Sequence, residues 1–90
     1  MRFEWDAAKS KRSAQKHGVT FDEATTVFGD PLALTFDDVE HSGDEERYLT
    51  FGVAATNRAL VVAHTARGDT IRIISARSMT PRERRGYEQY

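Results

Sequence analysis

The spacing of apolar residues changes along the chain, and the changes mark out its elements. Phe3 and Trp5 alternate with Arg2 and Glu4, the period-two pattern of a short first strand. Asp6 is a good N-cap for a helix from Ala7 to about His17, and Gly18 is a good stop. Lys9, Arg12 and Lys16 fall at i, i+3 and i+7 of that helix, so they share a face. Thr20-Phe21-Asp22-Glu23 is a capping box, with Val19 and Ala24 placed as a hydrophobic staple. The second helix is expected to run to about Phe28, burying Phe21, Ala24, Val27 and Phe28 before Gly29-Asp30-Pro31 ends it.

From there the period is two. Leu32, Leu34 and Phe36 alternate with Ala33 and Thr35, and Leu49, Phe51 and Val53 alternate with Tyr48, Thr50 and Gly52. Residues 37–46 between them are acidic and turn-rich, an expected exposed loop. Thr56-Asn57-Arg58 is a turn. Leu60–Thr65 and Thr70–Ala76 are strong strands joined by a tight hairpin that puts Arg67 at its tip. Thr80-Pro81-Arg82-Glu83 is a second capping box, with proline at the first helical position, and opens a helix to about Glu88. The order β-α-α-β-β-β-β-α predicts a single α+β domain over residues 1–90. It has an antiparallel sheet of four to five strands, two N-terminal helices and a C-terminal helix. The helices are expected on one face, leaving the other partly open.

Composition narrows the class. There is no cysteine, so neither a disulfide framework nor a thiolate metal site is available. With 39% apolar and 30% charged residues the chain reads as a folded domain. Its longest apolar runs are strand-sized, too short to span a bilayer, and Met1-Arg2-Phe3-Glu4-Trp5-Asp6 lacks the apolar core of a signal peptide. A cytoplasmic protein with no membrane association is expected. The net charge of −1 conceals an asymmetry. Residues 1–17 carry five Lys/Arg against two acids, net +3; residues 18–57 carry Arg47 against nine acids, net −8; residues 58–90 carry seven Arg against three acids, net +4. If the basic ends meet in the fold they form a face for a polyanion; otherwise these are ordinary solvated charges. All the basic residues after position 57 are arginines, which make the planar bidentate phosphate contacts that lysine cannot.

No glycine-rich phosphate loop, paired-histidine spacing or nucleophile elbow is present, so no metal or cofactor is expected. His41 lies in the acidic loop and reads as surface decoration. His64 shares a strand face with Leu60 and Val62 and reads as a satisfied, half-buried histidine. Trp5, Phe21, Phe28 and Phe51 read as core, and Tyr87 and Tyr90 as packing for the last helix. What remains is Arg, Lys and His, which suffice to cut RNA. The substrate brings its own nucleophile, the 2′-hydroxyl; a base takes its proton, arginines stabilise charge on phosphorus, and an acid protonates the leaving 5′-oxygen.

His17, beside Lys16 at the end of the first helix, is the candidate for proton transfer; its alternative is a last-turn residue stabilised by the helix dipole. Arg67, Arg72 and Arg77 are candidate phosphate ligands, and Lys9 and Arg12 would guide RNA. For Arg67 the alternative is an exposed turn charge, and for Arg72 an internal ion pair with a carboxylate such as Glu4 or Glu46. Strict alternation puts Arg72 with Ile74 and Ala76, and Arg77 with Ile71, Ile73 and Ser75, on opposite faces; one site takes both only if a bulge or the strand end turns one of them.

Phe3-Glu4-Trp5-Asp6, Lys9 and Lys16-His17-Gly18-Val19-Thr20-Phe21 with Glu23-Ala24 resemble the opening of the BrnT family of toxins. Arg67-Gly68-Asp69, Ile71-Arg72-Ile73-Ile74-Ser75-Ala76-Arg77, Arg82-Glu83-Arg84 and Tyr87 are similar to its closing motif. Within Leu32–Arg58 only Arg47-Tyr48 and Gly52 match. Ser13 stands where the family usually has Asn, a departure that bears on how the first helix seats. The resemblance implies a RelE-like fold and metal-independent cleavage of messenger RNA. It also implies a cognate ribbon–helix–helix antitoxin, through which alone operator DNA is bound. It supports Lys16, His17, Arg67, Arg72 and Arg77 as site positions without assigning roles. The acidic segment 37–46 is not obviously part of the active face, and the expectation is that it touches the antitoxin or keeps the toxin soluble. The rival reading is a catalytically inert RNA- or protein-binding module of the same fold. A DNA-binding regulator is weaker, because no helix-turn-helix spacing is evident.

Overall fold

A computed structural model describes residues 1–90. The elements are β1 (Arg2–Glu4), α1 (Ala7–His17), α2 (Phe21–Thr25), β2 (Leu34–Asp37), β3 (Tyr48–Val53), β4 (Ala59–Arg67), β5 (Thr70–Ser78) and α3 (Pro81–Glu88). Short 3-10 turns at Thr26–Gly29 and Val39–His41 complete them. The helix ends are where the polar residues put them. Asp6 accepts from the backbone N–H groups of Ala8 and Lys9 at 2.8 and 3.2 Å, satisfying first-turn donors of α1. Gly18 ends the helix in the left-handed region at φ 69°, where a Cβ is disfavoured. Thr80 and Glu83 form the reciprocal capping box of α3. The second helix reaches Phe28 as expected, but its last turn tightens to 3-10.

The five strands lie in the order β1-β5-β4-β3-β2. All neighbours are antiparallel except β1, which pairs with β5 in parallel. The expected antiparallel sheet is therefore mixed at one edge. The chain enters through β1, crosses over by way of the helices, and returns beside it only at the end of the sheet. The basic N-terminal and C-terminal segments thus become neighbours.

Val19, Phe21, Ala24 and Val27 of the helical layer pack on Leu60 and Val62 of β4 and Ile73 and Ala76 of β5, and all eight are buried. Burying the six larger of these side chains, all but Ala24 and Ala76, stabilises by about 1.5–3 kcal/mol each, which is what fixes the helical layer on this face. His64 lies on the same face, 7% exposed, with its Nε2 2.7 Å from Thr50 Oγ1 and its ring against Phe28 and Tyr48. It is a satisfied core histidine, as expected. Burial holds its pKa down at about 4.

α3 differs from expectation. It lies on the opposite face, where Glu83, Gly86, Tyr87 and Tyr90 line one hollow with Leu34, Phe36 and Phe51. Phe51 therefore packs beneath α3 and not in the main core. The Tyr87 hydroxyl donates to Asp30 at 2.6 Å and pins the helix to the turn before β2. Tyr90 is 83% exposed, with only its edge-on contact to Phe36. α3 thus covers the β2–β3 end of the second face and stays clear of the β4–β5 end, where Val61, Ala63 and Thr65 of β4 are buried but Ser75 of β5 is exposed.

β5 contains the other departure. Ala63 pairs with Ser75 but His64 pairs with Ile73, so Ile74 is an extra residue, a β-bulge. The bulge allows Ile73 and Ala76, three residues apart, both to point into the core. It also reverses the sense of every later residue relative to strict alternation. Thr65 pairs with Arg72, Ala63 with Ser75 and Val61 with Arg77, so Arg72, Ser75 and Arg77 all point to the second face. Arg67, paired with Thr70, points the same way. It is the last residue of β4 and not the hairpin tip; the turn itself is Gly68 and Asp69.

Candidate functional site

α1 lies along the free upper edge of β5. Its seat is fixed by Ser13, whose buried hydroxyl donates to the Ala76 carbonyl at 3.2 Å. Ser10 of the same helix accepts from the Phe21 N–H at 3.1 Å and ties α2 to it. With Ser13 facing β5, the helical period brings Lys9, Arg12, Lys16 and His17 around it. All four line a cavity of about 250 Å³ whose floor includes Ile74, Ser75 and Ala76. The hydroxyl at position 13 thus reaches the strand without the amide usual in the resembling family, and the helix stays seated.

None of these four side chains takes part in an ion pair. The strand arginines contrast with them. Arg67 is held by Glu45 at 3.1 Å, Arg72 by Glu4 at 2.8 Å and Arg77 by Glu83 at 2.7 Å. The Glu4 pair is one of the alternatives the sequence left open for Arg72. In the Arg77 pair both guanidinium Nη atoms meet the carboxylate, at 2.7 and 2.9 Å, and Nη1 also donates to the Ser78 carbonyl. These contacts hold the Glu83 carboxyl down at about 2, chiefly through the Arg77 hydrogen bonds and then through the Thr80 N–H of the capping box. Of the five guanidinium N–H donors, Arg77 keeps two free, so the pair orients the side chain without blocking it. Arg58, which no pattern singled out, clamps Glu23 and the Gly18 carbonyl and so fastens the β3–β4 turn to the end of α1.

A second cavity, of about 470 Å³, opens on the far side of the bulge. Its walls include Asp38, His41, Arg47, Ser75 and Arg77. It shares Ile74 and Ser75 with the first, so one surface runs from the α1 cations across the bulge to Arg77. Arg47 adds a cation that makes no ion pair. The Val39–His41 turn of the acidic segment folds over the second face and brings His41 to the same cavity as Arg77. Sequence reasoning passed over Arg47, His41 and Ser75, because a residue in a loop or just past a bulge carries no periodic signal of its direction.

The expected residues therefore fall into two groups. Lys9, Arg12, Lys16, His17 and Arg77 border the continuous surface. Arg72 and Arg67 lie further along the same sheet face, towards the β4–β5 hairpin. No three His, Asp or Glu side chains come together in a way that could hold a metal ion. No helix is long and apolar enough to cross a membrane.

Comparison with known proteins agrees with the resemblance. No curated protein matches the chain. The profile of a family described as the ribonuclease toxin BrnT of type II toxin–antitoxin systems matches residues 5–83, nearly the whole chain. The match takes in both the α1 cations and β5. The chain belongs to the BrnT family of ribonuclease toxins of type II toxin–antitoxin systems.

Proposed function

We propose that the chain is a metal-independent endoribonuclease that cleaves messenger RNA, inhibits translation in the cytoplasm and is neutralised by a cognate ribbon–helix–helix antitoxin. The observation that carries this reading is the cavity between α1 and β5. There, Lys9, Arg12, Lys16 and His17 converge without a single carboxylate partner. Grouping unpaired cations costs stability unless a polyanion is bound in use. Lys9 and Arg12 attract the RNA backbone. Arg77, oriented by Glu83, donates its remaining N–H groups to the scissile phosphate and stabilises charge on it in the transition state. His17, with Lys16 beside it, handles protons. Arg72 and Arg67 bind phosphates further along the strand.

In the reaction the 2′-oxygen bonds to phosphorus, the bond from phosphorus to the 5′-oxygen breaks, and the products are a 2′,3′-cyclic phosphate and a 5′-hydroxyl. Operator DNA is contacted only through the antitoxin. The test is cleavage of RNA by the purified chain with EDTA present, with end-group analysis and an Arg77→Ala control. Cyclic phosphate ends that are lost in the control support the reading; cleavage that needs a divalent metal refutes it.

The internal pairing of Arg67, Arg72 and Arg77 favours one second reading, an inert module that binds RNA or protein. A chain that binds RNA but cleaves it neither free nor on translating ribosomes would establish that alternative. Such a chain would also be tolerated when expressed without antitoxin.

A further inference from the structure

The open-face cavity contains a histidine that the reading above does not use. His41 stands at the end of the Val39–His41 turn, with its Nδ1 3.0 and 3.1 Å from the two carboxylate oxygens of Asp38. The Asp38 side chain is mostly buried, 12% exposed, whereas that of His41 is 63% exposed. The turn is fixed in its own right: Ser42 donates its hydroxyl to the Asp38 carbonyl at 2.9 Å and accepts from the Arg47 N–H at 3.0 Å. An ionised carboxylate only accepts hydrogen bonds, so Nδ1 carries the proton. The lone pair of the neutral ring is then on Nε2, the atom turned away from Asp38. A buried carboxylate orienting a solvent-facing imidazole is the arrangement that a general base requires.

The surroundings fit a phosphodiester. The cavity holds Arg47, which makes no ion pair, Arg77, whose guanidinium keeps free donors, and the exposed hydroxyl-bearing Ser75. The charged groups facing His41 are Asp38 and Glu40 from its own turn, Arg47 from the start of β3 and Arg77 from β5. Across Ser75 lies the α1 cavity with His17. In-line displacement at phosphorus puts the entering and leaving oxygens on opposite sides, so its base and its acid stand on opposite sides as well. The two histidines border the two cavities that meet at the bulge.

We propose that His41, oriented by Asp38, is the general base of the ribonuclease, with Arg47 and Arg77 holding the scissile phosphate above Ser75. The inference rests on the ribonuclease reading and deepens it. His41 Nε2 takes the proton of the 2′-hydroxyl as its oxygen bonds to phosphorus. The bond to the 5′-oxygen breaks, and that oxygen takes a proton from the α1 side, where His17 stands. Asp38 is a positioning residue: it holds the ring and stabilises the imidazolium as it forms.

The experiment is single-turnover cleavage of a short RNA by the full-length chain and by His41→Gln, Asp38→Asn and His17→Ala, with ribosome-bound messenger as substrate if free RNA is not cut. Affinity for a 2′-O-methyl RNA, which lacks the nucleophile, is measured in parallel. His41→Gln is expected to slow cleavage by about 100-fold or more. Its affinity for the 2′-O-methyl RNA stays within about twofold, and the limb of the pH–rate profile that reports the base disappears. Asp38→Asn keeps that limb, because His41 is still present, but slows cleavage of both the oxygen- and the sulfur-bridged RNA, because the ring is no longer held by a carboxylate. An RNA with sulfur in place of the 5′-bridging oxygen needs no acid, so it should restore His17→Ala and leave His41→Gln slow. Wild-type rates in His41→Gln, or its rescue by the sulfur substrate, overturn the assignment while leaving the ribonuclease reading intact. Absence of cleavage by the wild-type chain on both substrates overturns that reading and the assignment with it.

Discussion

Acidification should weaken this protein through the buried His64. The ring is buried between Phe28 and Tyr48, with Nε2 2.7 Å from the Thr50 hydroxyl, which in turn lies 2.8 Å from Thr35 Oγ1. Protonation would place a charge on a ring that is only 7% exposed, and burial accordingly lowers the pKa from 6.5 to about 4. The folded pKa lies below the unfolded one, so the unfolded chain binds the proton more readily. The His64 contribution is therefore complete above the unfolded value of 6.5 and is lost as the pH falls towards about 4. One unit corresponds to about 1.4 kcal/mol, so the full loss is about 3.5 kcal/mol, of which about 2 kcal/mol is gone at pH 5. The lowered carboxyls act elsewhere: the Glu83 contribution is lost only below its ordinary 4.5, on the way to about 2. Urea unfolding at about pH 8 and about pH 5 reads the difference. His64→Leu is a control of similar volume, in which Thr50 keeps Thr35 as a partner. Wild type should lose about 2 kcal/mol between the two conditions through this group, and the leucine variant should not show that loss. Equal losses in the two proteins, or a His64 imidazole that titrates near 6.5 in the folded state, would refute the reasoning.

Three further outcomes can be checked in the same way. A Cβ on Gly52 would come within 2.8 Å of Val27 Cγ1 and 3.1 Å of Ala33 Cβ, so Gly52→Ala should cost about 1–3 kcal/mol in urea unfolding. Ser13→Ala removes the α1–β5 hydrogen bond and leaves the Ala76 carbonyl short of a partner; about 1–2 kcal/mol of stability should be lost, with slower exchange-protected amides in α1 becoming fast. Replacing Lys9 and Arg12 together with Ala should weaken RNA binding alike for all sequences and lower the salt slope by about 1.4, at about 0.7 per phosphate contact on a single strand. An unchanged slope would remove α1 from the RNA path.

The elements were legible because their boundaries are written in local chemistry. Asp6, Gly18, Thr20 and Thr80 each act within a turn of their own position, and the observed caps involve those residues. Pairing is not local. Nothing in Arg2–Glu4 says that its partner is β5, nor that it runs parallel to it, because a three-residue strand has the same period in either sense. The placement of α3 depends on Tyr87 reaching Asp30, a contact between residues far apart in the chain. The bulge at Ile74 is the most consequential of these. Ile73-Ile74-Ser75-Ala76 offers apolar groups to both faces, and only the need to bury Ile73 and Ala76 against Phe21 and Val62 selects the register. The bulge is one of the two ways the sequence left open for Arg72 and Arg77 to share a face.

The charge asymmetry of the chain acquires a physical meaning once the pairs are known. The two basic ends do meet, through β1 beside β5 and α1 above it. Yet the fold neutralises them unequally. The arginines in the β4–β5 ribbon and at its end each have a glutamate, drawn from β1, the acidic loop or α3. The cations of α1 have none, although the acidic middle of the chain lies only across the bulge. Exposed pairs of this kind add little stability, about 0–1 kcal/mol, so the glutamates are better understood as setting the direction of each guanidinium than as holding the sheet together. In the proposed site, a phosphate at Arg77 would meet a fork already oriented by Glu83 and so lose less rotamer entropy on binding. At α1 it would meet cations that no ion pair orients, which would attract it from a distance but fix it loosely. The same acidic segment that supplies Glu45 to Arg67 carries Asp38 and His41 to the cavity of Arg77. Its charge is thus consistent with a role in orienting the groups of the open face, which ties a stretch that reads as featureless loop to the chemistry of the site.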